Sequence, residues 1–101
     1  MPEMRFRIRW PDGAEESCYS PSLVIKEHFA PGETYPVADF LARSRTALMI
    51  ASDRVQAKYG AACSRALGQL ARIEAKGARF SDIPGARVAV AAFEENQESA
   101  R

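Results

Sequence analysis

Cys18 and His28 are the one nucleophile and base pair that residue type allows in this 101-residue chain, which has two cysteines and a single histidine. A thiolate beside an imidazole would attack an electrophilic carbon. No third orienting group and no oxyanion loop can be read around them. The pair also has a purely structural reading, and the pattern favours it: a buried thiol, and a histidine in the last turn of a helix where its charge suits the dipole. Cys18, Cys63 and His28 have the side chains to ligate zinc, but no CxxC or HxxxH spacing supports a site. Gly32, Gly60, Gly68, Gly77 and Gly85 are scattered, so no phosphate-cradling loop is present. Glu15 and Glu16 are neighbours on a strand and point to opposite faces, which rules them out as an acid and base couple. Catalytic, cofactor-binding and metal-ligating residues are therefore assigned to none.

Recognition is the other chemistry on offer. Arg5, Arg7 and Arg9 alternate with Met4, Phe6, Ile8 and Trp10, the period of a strand with one face on a core and one in water. With Tyr19 they form a candidate interaction face. The same row also reads as a solvated strand face balanced by Glu15, and that reading outweighs a phosphate-binding surface. A formal net charge of +1 provides no global field, so nucleic acid is not an expected partner.

The elements that must position these residues begin with a hairpin. Pro11 presets φ for the first central turn position, Asp12 suits the second, and Gly13 takes positive φ. A type I turn closed by a glycine bulge pairs Trp10 with Ala14, Arg9 with Glu15, Arg7 with Ser17 and Phe6 with Cys18, which buries Cys18. A two-residue turn would instead pair Arg7 with Cys18 and place the thiol among the arginines. The bulge is preferred because proline fits type I, although it leaves Glu16 on the apolar side.

Ser20-Pro21-Ser22 reads as a helix start with Ser20 as N-cap, leading into a short helix through Phe29, while Leu23 to Ile25 could equally continue a strand. Gly32 to Tyr35 is an extended link, because Tyr35 precedes Pro36. From Pro36 an apolar stripe of Val37, Phe40, Leu41, Ser44, Leu48, Ala51, Val55 and Tyr59 predicts a long helix stopped at Gly60. Cys63, Ala66, Leu67, Leu70, Ile73 and Gly77 predict a second one, antiparallel to the first. One continuous bent helix to about Lys76 is the alternative. Val88 and Val90 on one side, with Ala89, Ala91 and Phe93 on the other, make a final strand that pairs with the first.

These elements predict an α+β fold in the order β-β-(α)-α-α-β. A three-stranded antiparallel sheet, the N-terminal hairpin plus the C-terminal strand, is covered on one face by an antiparallel pair of helices. Residues 1–94 form a single domain and 95–101 a frayed polar tail. With 47% apolar and 27% charged residues the composition is that of one globular domain. No run approaches membrane-spanning length, and two cysteines on different elements suit reduced thiols, so a cytoplasmic protein is expected.

The chain resembles a family of small bacterial proteins named for a nitrogen-starvation response and found in gene clusters built around a nitrilase. The resemblance rests on MPEMRFRIRWPDG, CYSPS, the segment from Gly32 through Tyr35-Pro36 to Phe40, RVQAKYG followed by ACSRA, and a terminal strand ending in Phe93. It implies a part in nitrile or cyanide nitrogen assimilation, beside the nitrilase, a radical-SAM protein, an acetyltransferase-like protein and a flavoprotein. It assigns no reaction and no catalytic residue. The resulting expectation is an accessory protein that docks on a partner from that cluster or on a second copy of itself. A thiol-dependent enzyme or ligand carrier using Cys18 is the second reading, since cyanide and nitriles are electrophiles. A nucleic-acid-binding regulator acting through Arg5, Arg7 and Arg9 is the third.

Overall fold

The computed structural model describes residues 3–95. Strand β1 (Met4–Arg9) alternates buried and exposed residues without exception, and β2 (Glu15–Ser20) returns beside it. Trp10 N–H donates to the Ala14 carbonyl and Gly13 N–H to the Trp10 carbonyl, each at 2.8 Å, with Gly13 at φ +89°. This is the glycine-bulge register, and it pairs Phe6 with Cys18 and Ile8 with Glu16. Glu16, on the apolar side, accepts a 2.9 Å hydrogen bond from the Trp10 indole, so the carboxylate and the indole N–H satisfy each other at the edge of the core.

The turn after β2 is a short 3-10 helix, Leu23–Glu27, with Ser22 rather than Ser20 as its cap: Ser22 Oγ accepts from Val24 N–H at 3.2 Å. Ser20 instead donates its hydroxyl to the Ser22 carbonyl and fixes the corner from outside.

The sheet has four strands, not three. The additional strand, β3 (Thr34–Pro36), lies within the expected extended link and pairs antiparallel with β4 (Arg87–Glu95). The restriction that proline places on Tyr35 straightens the backbone, and the free side of β4 offers it partners. Gly32 N–H donates to the Val90 carbonyl at 2.7 Å and Val90 N–H to the Glu33 carbonyl at 2.9 Å. Pro36, lacking an N–H, is tolerated there because β3 is an edge. The order is β2-β1-β4-β3, with every pair antiparallel.

β4 pairs with β1 as expected, but its faces change midway. Arg7 lies opposite Ala92 and Ile8 opposite Val90, so Ala91 is an extra residue in a bulge. Phe93 is thereby brought opposite Phe6, onto the same side as Val88 and Val90, and packs against the core. Glu95 belongs to the strand and ion-pairs with Lys26, so the expected tail does not begin there. The rest of that tail, 96–101, lies outside the described residues.

Two helices cover the inner face, α1 (Val37–Tyr59) and α2 (Ser64–Ala78). Gly60 separates them in the left-handed conformation, φ +84°, and donates to the Gln56 carbonyl. Their contacts run in opposite directions: Leu41 lies against Gly77, Arg45 pairs with Glu74 at 2.8 Å, and Ser52 Oγ accepts from Cys63 N–H at 3.3 Å. The stripe on α1 is buried at Val37, Phe40, Ser44, Leu48 and Ala51 and half-buried at Leu41 and Val55, while Tyr59 is 62% exposed. On α2 the buried face turns away from Leu67, and Gln69 joins Ala66, Leu70 and Ile73. Trp10, stacked on Phe80 and edge-on to Phe40, belongs to one continuous core with Phe6, Ile8, Phe29 and Leu48. Among the described residues no helix is long and apolar enough to cross a membrane.

Candidate functional site

The alternation of β1 places Arg5, Arg7 and Arg9 on the outer face of the sheet, where all three are exposed. Their circumstances differ. Arg7 is paired with Glu94 at 3.1 Å, and Arg9 with Glu15 across the hairpin. The Arg9 hydrogen bond and charge hold the Glu15 carboxyl below its ordinary range. Two of the three guanidinium groups therefore already have carboxylate partners.

Arg5 has no ion-pair partner among the described residues and turns toward Tyr19, its cross-strand neighbour, with Cζ 5.9 Å from the ring centroid. Tyr19 is not part of an open surface: it is 8% exposed, because Arg65 of α2 lies over its ring at 3.8 Å. Burial, and then the Glu3 carboxylate beside it, push its phenol above the usual value. The arginine row expected from sequence thus ends, at Arg5, in a corner shared with α2.

That corner is a recess of about 250 Å³ lined by Arg5, Glu16, Ser17 and Tyr19 from the hairpin and by Ser64, Arg65, Gly68, Gln69 and Arg72 from α2. Gln69 is its inner post. Tyr19 N–H, which faces away from β1, donates to Gln69 Oε1 at 2.9 Å, and Arg72 reaches the same oxygen at 3.4 Å. Those bonds fix which way the amide points. Gln69 Nε2 is left buried with no acceptor among the described residues.

Cys18 lies elsewhere, on the inner face. Its thiol is 0% exposed, and burial holds it protonated far above the ordinary thiol range. A buried, protonated thiol is a poor nucleophile. His28 follows the 3-10 helix, where its own N–H caps the Ile25 carbonyl and its carbonyl accepts from Arg43 at 2.7 Å. Cys63, half-buried, precedes α2. No group of three histidine, cysteine or acidic side chains among the described residues is placed to hold a metal.

Arg65, Gln69 and Arg72 were not singled out by sequence. Gln69 had a signal: it stands three residues beyond Ala66 and one before Leu70, at the margin of the apolar stripe, where a polar side chain needs a partner. The two arginines had none, since helix residues facing water and residues facing a recess look alike in a pattern of one helix.

A family model described as nitrogen starvation-induced protein NitG matches residues 5–93, from Arg5 on the first strand to Phe93 on the last. No curated protein matches the chain. No solved structure matches it either. With nearly its whole length inside that match, the chain belongs to the NitG family of nitrogen starvation-induced proteins.

Proposed function

We propose that the chain is a non-catalytic accessory of the nitrogen-starvation response, docking on an acidic surface of a protein in a nitrilase-dependent nitrile or cyanide assimilation pathway. The observation that carries this reading is the one-sided cover of the sheet. Both helices pack on the inner face, α2 reaching round the β2 edge only at Tyr19, and the rest of the outer face presents Arg5, Arg7, Arg9 and Arg87 against Glu15 and Glu94, with Ala89 and Ala92 between them. Small residues flanked by guanidinium groups allow close approach of a partner, and arginine is enriched where protein surfaces meet. Burial of the Cys18 thiol supports the docking reading over the thiol-dependent one.

The test is capture from the native host during growth on a nitrile as sole nitrogen source. Tagged wild-type chain is expected to retain a protein of the nitrilase cluster. A variant carrying Arg7→Glu, Arg9→Glu and Arg87→Glu is expected to release it while keeping its fold, because exposed ion pairs contribute only about 0–1 kcal/mol each. Deletion of the gene is expected to lower nitrilase level or activity. Normal nitrilase activity together with an accumulating intermediate would instead identify a catalyst, and capture that ignores the charge reversal would place the interface elsewhere.

A further inference from the structure

The recess between β2 and the first turns of α2 combines four features of which the docking reading uses Arg5 alone. First, three guanidinium groups converge on it, those of Arg5, Arg65 and Arg72, and none has an ion-pair partner among the described residues. Glu16 is the one carboxylate in the lining, and it is already engaged by the Trp10 indole. Second, Ser64 opens α2 at the rim, and the helix start has neither a side-chain cap nor an acidic residue in its first turn. Its N–H groups and positive dipole end are uncompensated.

Third, Gln69 is 2% exposed and borders the recess, and its Nε2 is a donor without an acceptor. Its Oε1 is committed to Tyr19 N–H, so the amide cannot turn over to relieve the orphan without leaving that strand N–H unpaired. Fourth, Gly68 stands inside α2, where glycine is unfavourable, although no close packing demands it: a Cβ there would meet only Arg72 Nη1, at 3.7 Å. What glycine does preserve is the opening of the recess, where a larger side chain would stand. The three guanidinium groups and the helix start outweigh the single carboxylate of Glu16, which the indole bond orients without neutralising, and the Tyr19 ring beneath Arg65 preorganises one of the donors.

We infer that this recess binds a small oxyanion-bearing metabolite, held by Arg5, Arg65 and Arg72 at the start of α2, with the buried Gln69 side chain fixing the wall behind them. Guanidinium forks match phosphate and carboxylate oxygens alike, so the shared chemistry is a compact anion with paired oxygens. The site is distinct from the outer-face docking surface, with which it shares Arg5 alone.

The experiment is calorimetric titration of the whole chain with inorganic phosphate, with succinate and with chloride. Saturable binding of phosphate, of succinate or of both is expected, and whichever binds identifies the anion class. Two variants locate it. Arg65→Gln with Arg72→Gln removes two charged donors, and Gly68→Leu fills the recess from a water-accessible helix position while raising helix propensity. Each is expected to weaken binding by about tenfold or more with an unchanged circular dichroism spectrum. If neither anion binds up to about 10 mM, a weak limit for a cellular metabolite, the inference is overturned. It is equally overturned if chloride competes on equal terms, or if binding survives in the Gly68→Leu chain. Because Arg7, Arg9 and Arg87 are untouched, failure here leaves partner capture unaffected.

Discussion

Ser44 lies on the buried stripe of α1, fully enclosed, and its Oγ has no hydrogen-bond partner among the described residues. Enclosing an unpaired hydroxyl costs about 1–3 kcal/mol, and serine is the weaker helix former. Ser44→Ala is therefore expected to raise stability by about 0.5–1.5 kcal/mol, read from the urea unfolding midpoint, since little volume is lost. An unchanged or lowered midpoint would mean that the hydroxyl is satisfied. Glu16 is the opposite case. Its place on the apolar side looked awkward in the sequence, and the indole N–H of Trp10, which alternation alone cannot aim, is what makes it acceptable.

At the scale of the element, α2 carries two interior glycines with different reasons for being there. A Cβ on Gly77 would collide with the Leu41 side chain of α1, so glycine sets how closely the helices approach. Gly77→Ala is expected to destabilise the chain by about 1–2 kcal/mol, an overpacking cost of about 1–3 kcal/mol partly offset by helix propensity. Combining it with Leu41→Ala should cost less than the sum of the two single changes, a coupling that denaturant titration of the four chains measures. If the costs simply add, the contact does not set the spacing. Much of this level was legible in sequence: Pro11-Asp12-Gly13 located the turn and favoured the bulge register over the two-residue one, and the stripes located both helical segments while leaving one continuous bent helix open. The fourth strand was not, because three residues ending in proline carry no alternation, and only the free side of β4 turns an extended link into a strand. Nor could the side of Phe93 be read, since the bulge at Ala91 is a property of the pairing.

Across the whole molecule, the enclosed thiol makes stability depend on alkaline pH. Cys18 has its folded-state pKa raised by burial, so its contribution is complete below the unfolded thiol value, about 8.5, and is lost as pH rises above it. There the unfolded chain releases a proton that the folded chain keeps, and stability falls by up to about 1.4 kcal/mol per pH unit. Tyr19, also raised, adds to the decline at higher pH. Urea midpoints between pH 8 and 10 are expected to drop more steeply for the wild type than for Cys18→Ala, which starts lower at neutral pH because of the cavity it leaves. Equal slopes would show that the thiol ionises in place. The arginine corner, in contrast, was visible from the sequence only in its β1 half, because nothing in a linear pattern says that α2 will lean over Tyr19.

One consequence of the Gln69 bond to Tyr19 concerns neighbours rather than the chain itself. A sheet can be lengthened by any extended segment that finds unpaired amides along its margin. On one margin a glutamine borrowed from a helix already occupies the Tyr19 amide. On the other the terminal strand is three residues long and finishes in proline, which has no amide to offer. Both borders are thus partly stoppered from within, which works against copies of the chain adding strand to strand when their numbers rise during starvation.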